Sequence, residues 1–263
     1  MNSWLFPPAT QEAQLDEKWS FVAKKQSHCN PAEPADARCG DCWDHVALDP
    51  EHRLVLSVVV GKRTEANARR LVHELYERTD GRFLNLITSD EYPAYTTAIA
   101  AVYAEPEGSP SRAAARRRPE WLVYATVHKT REQNRVVKVE ARLVFGTLRN
   151  LAAALVWAVL CCVNTVFVER SNGTDRHRNS RKVRKTYRFS KDWGVHEAMT
   201  YFTLYCGNFC WSIRTLREEV APKRYRQRTA AMAAGLTDHV WSLEEWLLFP
   251  SSGRWKLPPF ARR

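Results

Sequence analysis

The stretch EANARRLVHELYERTDGRFLNLITSDEYPAY, Glu65 to Tyr95, decides the fold class. Its first half, Glu65 to Arg78, sets Ala68, Leu71, Val72, Leu75 and Tyr76 at helical spacing with Arg and Glu opposite, the pattern of an amphipathic helix lying on a core. Phe83 to Thr88 then reads as a strand that runs straight into Ser89, Asp90 and Glu91, and Pro93 favours the start of another helix. Helix, strand, acidic turn and helix in so short a span indicate an α/β domain.

On the N-terminal side, Leu15 to Ala23 places apolar and aromatic residues around Asp16 and Glu17 and reads as a first strand. His45 to Leu48 and Leu54 to Val60, joined by the turn-like Asp49, Pro50, Glu51 and His52, read as a hairpin with a buried second strand. Towards the C-terminus, Leu122 to His128 and Val136 to Phe145 predict two more strands. The apolar run Leu151 to Val163 predicts a buried helix, with Cys161 and Cys162 in the core. A helical portion begins at about Trp193 and includes a short amphipathic helix within Asp238 to Phe249. Trp193, Tyr201, Phe202, Tyr205, Phe209 and Trp211 are either base-stacking residues or core, and their near-helical spacing favours core. The expected architecture is a mixed sheet flanked by helices, with a helical C-terminal extension. Between these elements Glu105 to Pro119 reads as an exposed loop, whose Arg116, Arg117 and Arg118 either touch phosphate or are simply solvated.

Composition narrows the partners. A chain of 263 residues with 44% apolar content can bury a sizeable core. Forty Lys and Arg against 29 Asp and Glu give a net charge of +11, which suits nucleic acid or an anionic membrane surface. Crossing a membrane takes about 20 continuous apolar residues, and the longest run is shorter, so a spanning helix is excluded. The first residues do not resemble a secretory signal, so the expected location is the cytoplasm, in association with the nucleoid. Seven scattered cysteines, an odd number, make no disulfide framework. Cys39 and Cys42 form a lone CxxC with His28 and Cys29 upstream, either part of a zinc site or free thiols in a Pro-rich loop; the absence of a second ligand pair at finger-like spacing favours thiols.

Cutting or joining DNA by a two-metal route requires carboxylates, because Mg²⁺ prefers hard oxygen ligands and takes few of them from the protein. Asp16 within a strand, Asp90 just beyond the end of another and Glu169 near the start of a helix can meet at one edge of a sheet. Twenty-nine acidic residues offer many such triplets, so placement alone does not select these. The segment after Glu169 is more informative: between Arg170 and Lys191 stand Arg170, Arg176, Arg178, Arg181, Lys182, Arg184, Lys185, Arg188 and Lys191, with Asp175 the only acid. Such a run attracts phosphate. If it is helical, Glu169, Asn172 and Arg176 share a face, although Gly173 costs about 1 kcal/mol in a helix interior.

The strings LDEKWSFV (Leu15 to Val22), ITSDEYPAY (Ile87 to Tyr95) and NTVFVERSNGTDRHRNSRKVRKTYRFSK (Asn164 to Lys191) resemble the three acidic motifs of the DDE transposases of the insertion-sequence-one family. The resemblance spans about residues 15 to 210 and is most specific in the third string. It implies that Asp16, Asp90 and Glu169 are the catalytic metal ligands, that Asn172 and Arg176 accompany them, and that the FSK string and His196 form the motif's downstream tail. It further implies a ribonuclease H-like core, Mg²⁺ or Mn²⁺ as two ions, and action on the inverted repeats of an element. On that basis residues 1–14 are a lead-in, 15–191 the catalytic domain and 192–263 the extension. Arg178, Arg181, Lys182, Arg184, Lys185, Arg188 and Lys191 are then expected to hold double-stranded DNA alongside Asn172 and Arg176. Family members usually carry an N-terminal zinc-binding and helix-turn-helix region, so end recognition is expected from a separately encoded protein. A homo-oligomer is expected because two DNA ends must be joined. The rival readings are a metal-dependent nuclease that cuts without joining, and an inactive DNA-binding remnant.

Overall fold

The computed structural model describes residues 10–103, 122–133 and 135–249. Three antiparallel strands open the fold: β1 (Glu12–Val22), β2 (Gly40–Asp49) and β3 (Leu54–Gly61). Helix α1 (Glu65–Arg78) comes next, capped by Thr64, whose hydroxyl accepts the Asn67 amide proton. It buries Ala68, Leu71, Val72 and Leu75, each large side chain contributing about 1.5–3 kcal/mol. The chain then returns as β4 (Leu86–Asp90), parallel to β1, and turns into α2 (Pro93–Val102) with Pro93 in its first turn. After it run β5 (Tyr124–Glu132), parallel to β4, and β6 (Arg135–Phe145), antiparallel to β5. The sheet order is β3-β2-β1-β4-β5-β6. This is the mixed, helix-flanked α/β sheet expected from the sequence and consistent with a ribonuclease H-like core.

Helices cover both faces. On one face α1 and α2 pack over Leu15, Leu54, Leu56 and Tyr124. On the other, Val46, Leu48, Val58 and Val60 meet α4 (Val166–Arg178) through Val168 and α5 (Trp193–Cys210) through Tyr201 and Leu204. The aromatic cluster before and within α5 is therefore largely packing: Tyr201 is buried, and Trp193 and Tyr205 lie against the same core. The C-terminal part is not purely helical. A hairpin of β7 (Glu218–Ala221) and β8 (Arg224–Arg226) precedes α6 (Ala230–Ala233) and α7 (Leu243–Leu248). Trp241 is buried beside Phe209, whereas Leu243, Leu247 and Leu248 of α7 are exposed.

The run Leu151 to Val163 departs from expectation. Helix α3 (Leu148–Trp157) starts earlier, capped by Thr147, and stops at Trp157. Only one side packs: Leu151, Ala154, Leu155 and Ala158 sit on Leu86, Val123 and Leu143. Val156 and Trp157 remain 69% and 79% exposed, and Cys161 and Cys162 are exposed rather than core. An apolar run with one packed flank is a half-covered helix, and composition does not distinguish it from a buried one. Gly146, between β6 and α3, has φ +94°, and a Cβ there would meet the Leu122 carbonyl at 3.0 Å, so glycine is required at that turn. Edge strand β6 is also open, with Val136, Val137 and Val139 exposed. No helix among the described residues is long and apolar enough to cross a membrane.

Candidate metal centre

Parallel pairing sets the site. Leu15 lies opposite Ser89 in the register of β1 and β4, so Asp16 and the strand-terminal Asp90 come together at the C-terminal end of β4, where open α/β sheets commonly bind ligands. The carboxylates of Asp16, Asp90 and also Glu17 approach within 4.8 Å of one another. Burial, then the neighbouring Asp90 carboxylate, push the Asp16 carboxyl up to about 6. The same two causes push Glu17 up to about 7, although Arg63 opposes them. Asp90 is raised too, chiefly by burial. Three crowded, half-desolvated carboxylates repel one another and resist full ionisation, a penalty that a divalent cation relieves.

Glu169 stands on the first turn of α4, outside that tight group but near enough for its charge to raise Asp16 and Asp90. Its carboxylate accepts from the Thr165 hydroxyl and pairs with Lys129 of β5. Helix α4 does carry Asn172 and Arg176 towards the centre. The Asn172 amide donates to Asp16 Oδ2 at 2.8 Å, and the half-buried Arg176 feels the Asp16 charge. Three buried atoms lack a hydrogen-bond partner here: Glu17 Oε2, Asn172 Oδ1 and Arg176 Nε. Orphaned oxygens beside hard carboxylates fit a divalent ion of the Mg²⁺ or Mn²⁺ type.

Glu17 is the neighbour over which the sequence reading chooses Asp16. Adjacent positions on a strand face opposite sides, and that alternation together with the family resemblance favours Asp16 of the two. Because β4 ends at Asp90, the carboxylate there stands at the sheet's margin and is reached from both faces. Arg63, in the loop after β3, pairs with Glu17 and lies 4.2 Å from the Tyr92 ring centroid.

The basic segment divides on folding. Arg184, Lys185, Arg188 and Lys191 are exposed, Arg181 is half-buried, and Arg178 lies 4.1 Å over the Trp211 ring. The loop bearing them crosses the end of β1, where Ser190 bridges to Val22. Lys182 corrects the expectation that it holds DNA: it lies in a 3-10 turn (Ser180–Lys182) under α5, buried, bonded to Asp44 and Thr200. It belongs to a buried ionic cluster in which Lys18 pairs with both Asp175 and Asp44, and Thr203 donates to Asp175 at 2.8 Å. Burial works against the Asp44 anion, yet Lys182 and Lys18 outweigh it and hold the carboxyl well below its usual range. His196 is likewise buried rather than facing phosphate, its ring against Ser190 at 2.8 Å and Ser20 at 3.2 Å. Burial and the Lys182 charge bring it down to about 4.

Cys39 stays in the loop while Cys42 turns inward beside Asp44 and His196. That second trio is hostile to a cation, because Lys18 and Lys182 already occupy Asp44, and burial pushes the Cys42 thiol up to about 12. The free-thiol reading of the CxxC pair therefore fits the structure better than zinc. Arg116, Arg117 and Arg118 lie outside the described residues.

No protein-family model matches the chain, and no curated protein matches it at a significant level. Among solved structures it is similar to the Mos1 transposase paired-end complex with left transposon end, at 18% identity over 35% of this chain and 33% of that one, TM-score 0.23. The Mos1 strand transfer complex matches at 20% identity over 35% and 31%, TM-score 0.23. The Mos1 mariner paired end complex with Mn matches at 15% over 34% and 33%, TM-score 0.22. The matched part spans about a third of each of those chains. At TM-scores this low the similarity carries no weight for function.

Proposed function

We propose that the chain is a DDE-type transposase that cuts and joins DNA at the ends of an insertion sequence. The observation that carries this reading is the approach of the Asp16, Glu17 and Asp90 carboxylates within 4.8 Å of one another, each raised by burial, beside a helix whose next residues are strongly basic. Two divalent ions held by Asp16, Asp90 and Glu169 would neutralise charge on the scissile phosphate and make a water or hydroxyl a better nucleophile. Asn172 orients the Asp16 carboxylate, and Arg176 faces the same centre with a free Nε–H. Exposed Arg184, Lys185, Arg188 and Lys191 hold backbone phosphates without reading bases. In the first step water attacks phosphorus and the 3′ oxygen leaves as a hydroxyl. In the second, that hydroxyl attacks a target phosphorus and expels the target's own 3′ oxygen. Double-stranded DNA is the partner, with a homo-oligomer to join two ends.

The test is strand transfer of a pre-cut element end into a plasmid with Mg²⁺ or Mn²⁺. Joined product from the wild type and none from Asp90→Asn, with DNA binding kept by both, is the expected result. Hydrolysis without joining replaces the reading with that of a nuclease. Identical behaviour of wild type and variant removes the enzymatic reading altogether.

A further inference from the structure

Helix α4 has a second charged flank. At about 100° per residue, Phe167, Arg170, Ser171, Thr174 and Arg178 lie on the side opposite Glu169, Asn172 and Arg176. That flank walls a cleft of about 290 Å³, closed by the second half of α5, the start of β3 and the loop after α5. Four guanidinium groups line it: Arg53, Arg170, Arg178 and Arg214. None of the four makes an ion pair with a carboxylate among the described residues, and Arg53 Nη1 is buried with no hydrogen-bond partner. Asp175, the one carboxylate in the wall among the described residues, is spent, one oxygen on Lys18 and the other on Thr203. Two of the arginines are held in place by aromatic rings, Arg53 at 3.6 Å from the Phe167 centroid and Arg178 at 4.1 Å from Trp211. Arg53 feels the Asp49 and Glu12 charges and Arg178 that of Asp175, yet no carboxylate among the described residues pairs with any of the four, and grouped guanidinia of this kind are a built receptor for phosphate, which they bind in bidentate fashion. The size is at the lower bound of ligand pockets, about 300 Å³, room for a phosphate and its ester rather than a whole dinucleotide.

We infer that this cleft binds a phosphate group, supplied by the DNA backbone, on the flank of α4 facing away from the carboxylates. The assignment of the phosphate to DNA rests on the transposase reading; the pocket's chemistry does not. One helix about 10–12 Å across would then touch the duplex on both sides, the acidic centre taking one phosphate and the arginine cleft another.

The experiment is run in EDTA, so that neither cleavage nor metal bridging enters. Inorganic phosphate is titrated against thermal unfolding, and binding of a duplex of arbitrary sequence is followed by fluorescence anisotropy across a salt series. The proteins are the wild type, Arg53→Gln/Arg214→Gln, the milder Arg170→Gln and Asp90→Asn. Phosphate is expected to raise the melting temperature of the wild type and of Asp90→Asn, but not of the double variant. The double variant's DNA affinity should fall roughly tenfold at low salt, and its log K against log salt slope by about 0.9 for the one phosphate lost. Arg170→Gln, at an exposed position, should show an intermediate loss with an unchanged melting temperature in the absence of phosphate. Loss of the phosphate effect with DNA binding untouched overturns the DNA assignment in favour of a small phosphorylated ligand. No phosphate effect in any of the proteins overturns the pocket. A wild type that binds phosphate here yet gives neither cleaved nor joined product in the separate strand-transfer assay with Mg²⁺ or Mn²⁺ refutes the transposase reading and leaves the pocket standing.

Discussion

The buried cluster under α4 and α5 contains two cations, Lys18 and Lys182, and two anions, Asp44 and Asp175, all at most 3% exposed. Its charge sums to zero, and removing one member leaves an unbalanced charge with no access to water. Breaking a buried pair in this way costs about 3–5 kcal/mol, while replacing both partners by apolar residues of similar volume is close to neutral. Lys18→Met and Asp175→Leu should therefore each destabilise by about 3–5 kcal/mol, a large share of the 5–15 kcal/mol typical of a whole domain. Made together they leave the Lys182–Asp44 pair intact and the cluster neutral, so the double variant should lose less than either single one. Urea unfolding followed by tryptophan fluorescence measures this: each single variant should lower the midpoint by about 1 M or more at constant slope. Single losses below about 1 kcal/mol, or a double variant whose loss equals the sum of the singles, would refute the electrostatic account of how α4 is anchored.

His196, brought down to about 4, should make stability rise with pH between about 4 and 6.5, because the unfolded chain binds a proton there that the folded one does not; the contribution reaches about 3 kcal/mol, and His196→Asn should flatten that limb of a pH series of melts. Asp16 has the opposite sign: its carboxyl, at about 6, holds a proton in the folded state that the unfolded chain has lost, so metal-free stability falls as pH rises from about 4 to 6. Asp16→Asn should accordingly stabilise the metal-free protein at pH 7 by about 1–3 kcal/mol in EDTA while abolishing metal-dependent cleavage; a destabilised variant would contradict the crowding described for the centre. Lys129→Met removes a half-exposed pair that contributes under about 1 kcal/mol, and should lower the Mn²⁺ concentration giving half-maximal thermal shift, since Lys129 competes for Glu169; no change would separate Glu169 from metal binding.

The elements that sequence made legible are those whose signal is local. Helix α1 has the bounds its periodicity predicted, Glu65 to Arg78, because cap, amphipathic stripe and charged face all agree. The position of Asp90 at the end of a strand, and of Asn172 and Arg176 on one helix with Glu169, was readable locally, although placement alone did not single these residues out. What escaped depends on tertiary packing. Lys182 looks like its basic neighbours, and only the docking of α5 over its turn buries it against Asp44. Glu17 joins the centre because β4 ends beside it, a fact of register that no residue in its own strand announces. Helix α3 is apolar enough for a core, yet among the described residues only one of its flanks is packed. The arginine cleft gathers Arg53, Arg170, Arg178 and Arg214 from positions too scattered to form a motif.

The open margin at β6 has a practical side. Val136, Val137 and Val139 leave a ready template for another strand, while Arg135, Lys138, Glu140 and Arg142 interrupt it with charge, the usual guard against edge-to-edge association. On a chain of net charge +11 that guard is electrostatic and therefore screened by salt. Purification works against itself as a result: the salt that strips bound nucleic acid also weakens the repulsion that keeps two such margins apart.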